Sequence, residues 1–415
     1  MPLDLQQLHT LPADDLRDRV RQLGLANDGL ARMRRPELVF ELVRGLDREN
    51  TWGRGVLEVH GEGFGFLRAP SANFLPGPED IYVSQSQIRR FDLRTGDTVI
   101  GHVRAPKEGE RYTALLKVLS VNGDPAETKA PTFESLTAIH PDDRVPLFED
   151  PVLRAIDWVA PLGLGHRGLL LAPGRTDRDD IERRIADLLA KDEDLEVTVL
   201  LVAAAPEEIQ DWRATSNAEI IATPFDEPQG RHLQVADIVF ERARRMAERG
   251  DDVVLIVDSL SRLLRACLAE IPPTGRDVGG VDAAALHRVR RYMGAARALE
   301  EGGSLTVIGV TSTDADSRLD RAMIDDLRDV VNWEVWLSRD AADRGVRPPL
   351  DVARCGVRRP ERLLESAELH ARAQFRTTLT GDVVEDAVRV AEHVASDAWV
   401  APGNPGMVAH VRSGA

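Results

Sequence analysis

Cysteine is nearly absent from the 415 residues: Cys267 and Cys355 allow at most one bridge. That excludes a small scaffold held by disulfides and points to a reduced, cytoplasmic setting. No apolar run approaches the roughly 20 residues of a membrane-spanning helix, and VVLIVD (253–258) is far shorter. No charged n-region followed by an apolar h-region opens the chain, so no secretory leader and no membrane partner are expected. His60, His102, His140 and His166 are scattered and neither cysteine has a ligand-spaced partner, so no metal site is expected. Ser/His/Asp catalysis has no positional support, and there is no internal repeat. Lysine is the scarcest charge: of 53 basic residues only Lys107, Lys117, Lys129 and Lys191 are lysines, and the last 224 residues contain none.

At about 150 residues per domain the length favours two or three domains. The net charge of −16 looks hostile to nucleic acid, but it is unevenly spread. Residues 1–125 hold 17 Lys and Arg against 18 Asp and Glu, leaving 36 against 51 for the rest, so the first third is close to neutral.

Residues 1–48 read as a helical unit, with Asp14 and Asp15 near a start signal and Leu16, Val20, Leu23, Leu38, Val39, Leu42 and Val43 supplying apolar faces. From about 50 to 122, short alternating runs (VLEV, GFGFLR, DIYV, DTVIGHV, ALLKVLSV) between Gly, Pro and Asp turns predict a small β-barrel. Residues 123–150, rich in Pro, Asp and Thr, read as a linker. From 151 to 415, apolar runs at GLLLA, VTVLLV, EIIAT, DVVLIVD and SLTVIGV alternate with helical segments, which predicts an α/β domain with a parallel sheet.

In GEGFGFLR (61–68), Phe64 and Phe66 are two apart, so on a strand both rings face the same way, and glycines leave their faces uncovered. Stacked bases are worth about 1–3 kcal/mol each in single-strand binders, and Arg68 is placed for a phosphate or cation–π contact. Tyr82, Arg111 and Tyr112 add aromatic and basic groups from neighbouring strands. Alternation alone fits ordinary core phenylalanines equally well; the bare glycines between the rings favour a base-stacking surface.

GFGFLR, DIYVSQSQIRRFDLRTGDTV and PKEGERYTALLKV resemble the RNA-binding module of the bacterial transcription termination factor Rho family, hexameric RNA-dependent ATPases that translocate on RNA. The resemblance continues through LARMRRPELVF, FDEPQGRHLQVAD, VDSLSRLLRA, GGVDAAALHR, GAARALEEGGSLT and RCGVRRPERLL, nearly the whole chain. It implies an OB/cold-shock-like barrel, a RecA-like ATPase-type domain, and a primary site for cytidine-rich single-stranded RNA at Gly63, Phe64, Gly65, Phe66, Leu67, Arg68, Asp80, Ile81, Tyr82, Glu110, Arg111 and Tyr112.

The same resemblance exposes departures. A phosphate loop needs small residues at a helix start, a lysine for the β/γ-phosphates and a Ser/Thr hydroxyl on Mg²⁺. At that place this chain reads APGRTDRDDIERRI (172–185): Asp177 replaces a glycine, Arg178 the lysine and Asp179 the hydroxyl residue. Carboxylates at a helix start cap it and repel a triphosphate, and a planar guanidinium is a poor substitute for a compact ammonium. Ala203, Ala204 and Ala205 stand where the family carries an Asp-Glu-Arg run that orients the attacking water, and Glu207 and Glu208 match its downstream glutamates. Gly345 and Arg347 stand where a trans-acting arginine and an adenine-stacking aromatic are expected. Remnants of the catalytic set are Asp258, Arg354 and Arg358, for which a helix-capping role and inter-subunit ion pairing are the plainer readings. Remnants of the nucleotide pocket are Gly163, Gly165, Arg167, Gly168, Arg175, Thr176 and Arg178.

The family's central-channel loops correspond to Val278, Gly279, Gly280 and Arg318, the last read more plainly as a solvated charge. The leading expectation is a ring-forming, Rho-like RNA-binding protein with impaired ATP binding and hydrolysis. It would assemble as a homo-hexamer or a mixed ring with a genuine Rho, with RNA polymerase as a further partner. ATP and Mg²⁺ would be cofactors only if the pocket still works. The alternatives are an active ATP-dependent RNA translocase that terminates transcription, an inhibitory partner in mixed hexamers, and a non-functional relic.

Overall fold

The computed structural model describes residues 3–4, 11–24, 30, 38, 42, 51–174, 176, 178–192, 194–313 and 317–396. Val39, Val43, Arg175 and Asp177, and most of LARMRRPELVF, lie outside them. Two compact units form, one from residues 1–131 with 234–249, the other from 132–233 with 250–415.

In the first unit, α1 (Ala13–Gln22) buries Leu16 and Val20, with Asp14 and Asp15 in its acidic first turn. Leu23, expected on the apolar face, caps the helix C-terminus and is 45% exposed. Leu38 and Leu42 join Leu16 in the same core as the strands that follow. Those strands are β1 (Thr51–Val59), β2 (Gly65–Arg68), β3 (Ile81–Val83), β4 (Thr98–Arg104) and β5 (Thr113–Val121). Antiparallel pairs β1–β2, β2–β3, β4–β5 and β1–β4, with parallel β3–β5, close them into a five-stranded barrel of the OB/cold-shock type, which leaves no free sheet edge. TVIGHVR in β4 alternates strictly, with Val99, Gly101 and Val103 inward. Between β3 and β5, α2 (Gln85–Phe91) begins at a capping box of Ser84 and Gln87.

The second unit is built on a nine-stranded sheet, two short antiparallel strands (Ala138–Ile139 and Arg297–Leu299) lying off a main path of β6 (Arg167–Ala172), β7 (Leu195–Ala204), β8 (Glu219–Pro224), β9 (Asp252–Asp258), β10 (Ser304–Ser312), β11 (Trp333–Trp336) and β12 (Gly356–Val357). Their spatial order is 8-7-9-10-6-11-12, parallel except for the last pair. Helices α3 (Arg178–Leu189), α4 (Pro206–Thr215) and α5 (Leu260–Glu270) follow β6, β7 and β9. This is the RecA-like architecture, and its strands are buried as the unbroken apolar runs require: β10 is buried from Ser304 to Thr311. Within 132–150, Phe133, Val145 and Leu147 are buried. No described helix is long and apolar enough to cross a membrane.

Candidate RNA surface and phosphate-loop pocket

Cross-strand register sets the first site. Glu58, Phe66 and Tyr82 pair across β1, β2 and β3, while the next row, Leu57, Leu67 and Ile81, turns into the barrel. Leu67 and Ile81 are therefore core residues that position their neighbours, whereas Phe64, Phe66 and Tyr82 are half-buried on the outer face. Phe66 meets Phe64 edge-on at 5.8 Å, Tyr82 at 5.9 Å and Tyr112 at 4.8 Å. His60, which sequence reasoning missed, stacks on Phe64 at 5.2 Å and 11°. Both glycines are required sterically: Gly63 has φ +89°, and a Cβ on Gly65 would lie 2.6 Å from the Glu58 carbonyl oxygen.

Beside the rings lies a cleft of about 640 Å³ lined by Tyr82, Ser84, Gln87, Arg104, Glu110 and Tyr112. Arg104 forks onto Glu110, with nitrogen–oxygen distances of 2.5 and 2.9 Å, and the Lys107 backbone N–H donates to the same carboxylate at 3.0 Å. These bonds draw the exposed Glu110 carboxyl down to about 2. Arg111 lies over Tyr112 at 5.3 Å. The capping box explains why Ser84 and Gln87 are here: Gln87 turns back to the Ser84 N–H and donates to the Leu115 carbonyl. Its signal, a serine three residues before a glutamine, was present in DIYVSQSQ.

Arg68 departs from expectation. Its side chain is 4% exposed and ion-paired to Asp80 and to Glu58, the latter at 2.5 Å, with its guanidinium carbon 5.1 Å from the Phe66 ring centroid. It lies beneath the aromatic surface as a positioning residue, and the open phosphate contact is corrected: the carboxylates of Glu58 and Asp80 hold the guanidinium under the rings. Burial outweighs the pull of Arg68 and lifts the Asp80 carboxyl to about 6. Because the folded value exceeds the ordinary 3.8, the folded state binds more protons between about pH 4 and 6, and this contribution to stability is lost as pH rises through that window. Asp80→Asn should flatten that part of the melting-temperature profile, measured from pH 4 to 7.5; an unchanged profile would contradict the assignment.

The second site lies at the C-terminal end of β6. Thr176 donates its hydroxyl to the Pro173 carbonyl at 2.9 Å. Arg178 opens α3 and pairs through Nε with Glu182 at 3.1 Å and through Nη2 with Asp179 at 3.0 Å and Asp258 at 3.5 Å. Burial opposes its charge, but Asp258, Glu182 and Asp179 outweigh burial and hold it protonated. Glu182 and Asp258 are each 1% exposed, and burial pushes both carboxyls up. Glu208 on α4 faces the same cluster, 3.7 Å from Arg262, and is also pushed up by burial. Asp258 is not a helix cap, since Ser259 accepts the Arg262 N–H at the start of α5. Ala203, Ala204 and Ala205 bring no side-chain polar group to the end of β7.

Four expected pocket residues sit elsewhere. Gly163, Gly165, Arg167 and Gly168 gather at the N-terminal end of β6, a strand length of about 20 Å from the loop. Gly165 brings its backbone against Arg297 and Ala298, and Arg167 donates to the carbonyls of Val330 and Ala296. These are structural contacts, which corrects the assignment. Arg354 lies 3.2 Å from the Trp336 ring centroid, and Arg358 donates to the carbonyls of Arg328 at 2.6 Å and Asp329 at 3.4 Å. Both are engaged within their own chain. In the hairpin at 277–282, Gly279 and Gly280 have φ of +60° and +81°, and Val278 is 48% exposed. Arg318, at the start of the helix Arg318–Leu327, donates from Nε to the Gly279 carbonyl at 2.9 Å, so it ties the two loops together. Among the described residues no His, Cys, Asp and Glu cluster has metal-holding geometry.

The chain thus carries, in sequence order, a closed five-stranded barrel and a RecA-like α/β sheet. The family described as "Rho termination factor, RNA-binding domain" matches residues 53–127, and "ATP synthase alpha/beta family, nucleotide-binding domain" matches 152–355. Transcription termination factors Rho of Escherichia coli (strain K12) and Salmonella typhimurium are each 42% identical over 379 residues, covering 88% of this chain and 90% of theirs. The chain belongs to the Rho family. A solved ATPase of the type III secretion system of pathogenic bacteria superposes with a TM-score of 0.51 at 17% identity over 63% of this chain and 88% of its own, a likeness of fold.

Proposed function

We propose that this Rho-family protein acts in transcription termination or its regulation by holding single-stranded RNA on the barrel, without the ATP-driven motor of the family. The observation that carries this reading is the set of ion pairs made by Arg178. The position that would offer an ammonium to a triphosphate instead offers a guanidinium already paired with Glu182 and Asp258. The residues here do not fit a magnesium-bound triphosphate. No lysine is within reach in sequence, the hydroxyl ligand is Asp179, and the catalytic carboxylate run is alanine. Arg354 and Arg358 support the same reading, since both guanidinia are occupied in cis.

On the RNA side, Phe64, Phe66 and Tyr82 form the stacking face, and the Glu110 carboxylate in the adjoining cleft is an acceptor suited to the exocyclic amine of cytosine. Assembly as a ring, alone or with an ATPase-competent Rho, and contact with RNA polymerase belong to this reading. Titration calorimetry of the purified chain tests it. Heat is expected from a cytidine-rich oligonucleotide and none from MgATP at millimolar concentration. Because Glu110 stays ionised well below neutrality, RNA affinity should not fall through Glu110 between pH 8 and 5; a loss centred there and absent from Glu110→Gln would contradict its assignment.

A further inference from the structure

Glu182 does not belong to the phosphate loop, yet it is paired with the loop's cation. It stands one turn beyond Arg178 on α3, so the two side chains share a face. That face is the buried one, carrying Ile181, Ile185, Ala186 and Leu189. A carboxylate placed there and 1% exposed is costly unless a cation meets it. Arg178 Nε meets it at 3.1 Å, and the same guanidinium extends to Asp258 at 3.5 Å. One cation thus serves two buried carboxylates plus Asp179, and the adjoining Glu208–Arg262 pair adds no net positive charge.

We propose that Glu182 is the lock of this pocket: it recruits the cation at position 178 inward as a counter-ion, so restoring the loop's lysine and hydroxyl alone does not recreate a phosphate site. The proposal rests on the reading that the pocket no longer takes a triphosphate, and it names the residue outside the loop that keeps it so. A lysine at 178 would be drawn to the same two carboxylates. Removing Glu182 leaves Asp258 as the only buried carboxylate paired with that cation and lets the cation turn toward an incoming anion.

The test compares full-length chains carrying Asp177→Gly, Arg178→Lys and Asp179→Thr, with and without Glu182→Leu, using MgATP as the probe in calorimetry. The loop set alone is expected to stay within threefold of the parent, and adding Glu182→Leu is expected to raise affinity at least tenfold, with Glu182→Gln moving it the same way. Equal affinity with and without Glu182→Leu overturns the lock and leaves the proposed function standing. A parent chain that already binds MgATP overturns that function and the lock with it. A double-mutant cycle on melting temperature supplies a readout that does not require nucleotide. Arg178→Met is expected to lower it, and Glu182→Leu in the same chain to recover most of the loss, whereas strictly additive changes overturn the pairing.

Discussion

Replacing Phe64 or Phe66 by alanine is expected to weaken binding of a cytidine-rich single strand by about 5- to 150-fold each, the range set by about 1–3 kcal/mol per stacked base. The double variant should fall below detection at micromolar protein. Phe64, just before β2, and Phe66, on its outer face, are both half-buried, and the barrel interior is filled instead by Leu57, Leu67, Ile81 and Val83. Folding should survive, so circular dichroism and melting temperature serve as controls. Phe66 carries more of the cluster, touching Phe64, Tyr82 and Tyr112. Phe66→Ala should therefore loosen the neighbouring rings and exceed Phe64→Ala in effect. Unchanged affinity in both variants would remove the stacking assignment.

Arg68→Met is expected to cost the barrel about 3–5 kcal/mol, the usual result of stranding buried charge by removing its partner. Asp80 and Glu58 would both lose the guanidinium that holds them, and Asp80 is 2% exposed. Chemical denaturation followed by tryptophan fluorescence measures the loss. A second readout separates this positioning role from phosphate binding. If Arg68 contacted phosphate, its removal would lower the slope of log affinity against log salt by about 0.7 for a single strand. The expected slope is unchanged, with the loss appearing in stability and in ring order.

The barrel was legible because its strands alternate cleanly. In TVIGHVR every second side chain turns inward, and the Phe64–Phe66 spacing placed both rings at the surface. What alternation did not reveal is that Arg68 and Leu67 are both buried, one under the aromatic surface and one inside the barrel. A charge is buried only when its partners converge, and Glu58 and Asp80 come from two other segments. The same limit hid the use of Gly163, Gly165, Arg167 and Gly168. Gly163 and Gly165 lie just before β6 and Arg167 and Gly168 open it, but the rest of the strand separates all four from the loop that follows. In the α/β unit the altered loop was plain in APGRTDRDD, while Glu182 was not. Its inward position follows from Ile185 and Ala186 three and four residues on, but its partner becomes evident only once Asp258 arrives from β9. Asp258 and Ser259 are both good capping residues at adjacent positions, and only the backbone shows that Ser259 is the one that caps α5.

The most direct test of an RNA-binding protein without a motor is the rate of phosphate release from ATP by the purified chain, with and without saturating cytidine-rich RNA that it demonstrably binds. The account predicts bound RNA and phosphate release indistinguishable from the protein-free background in both cases. RNA-stimulated turnover by the unaltered chain, abolished by Arg178→Ala, would contradict it.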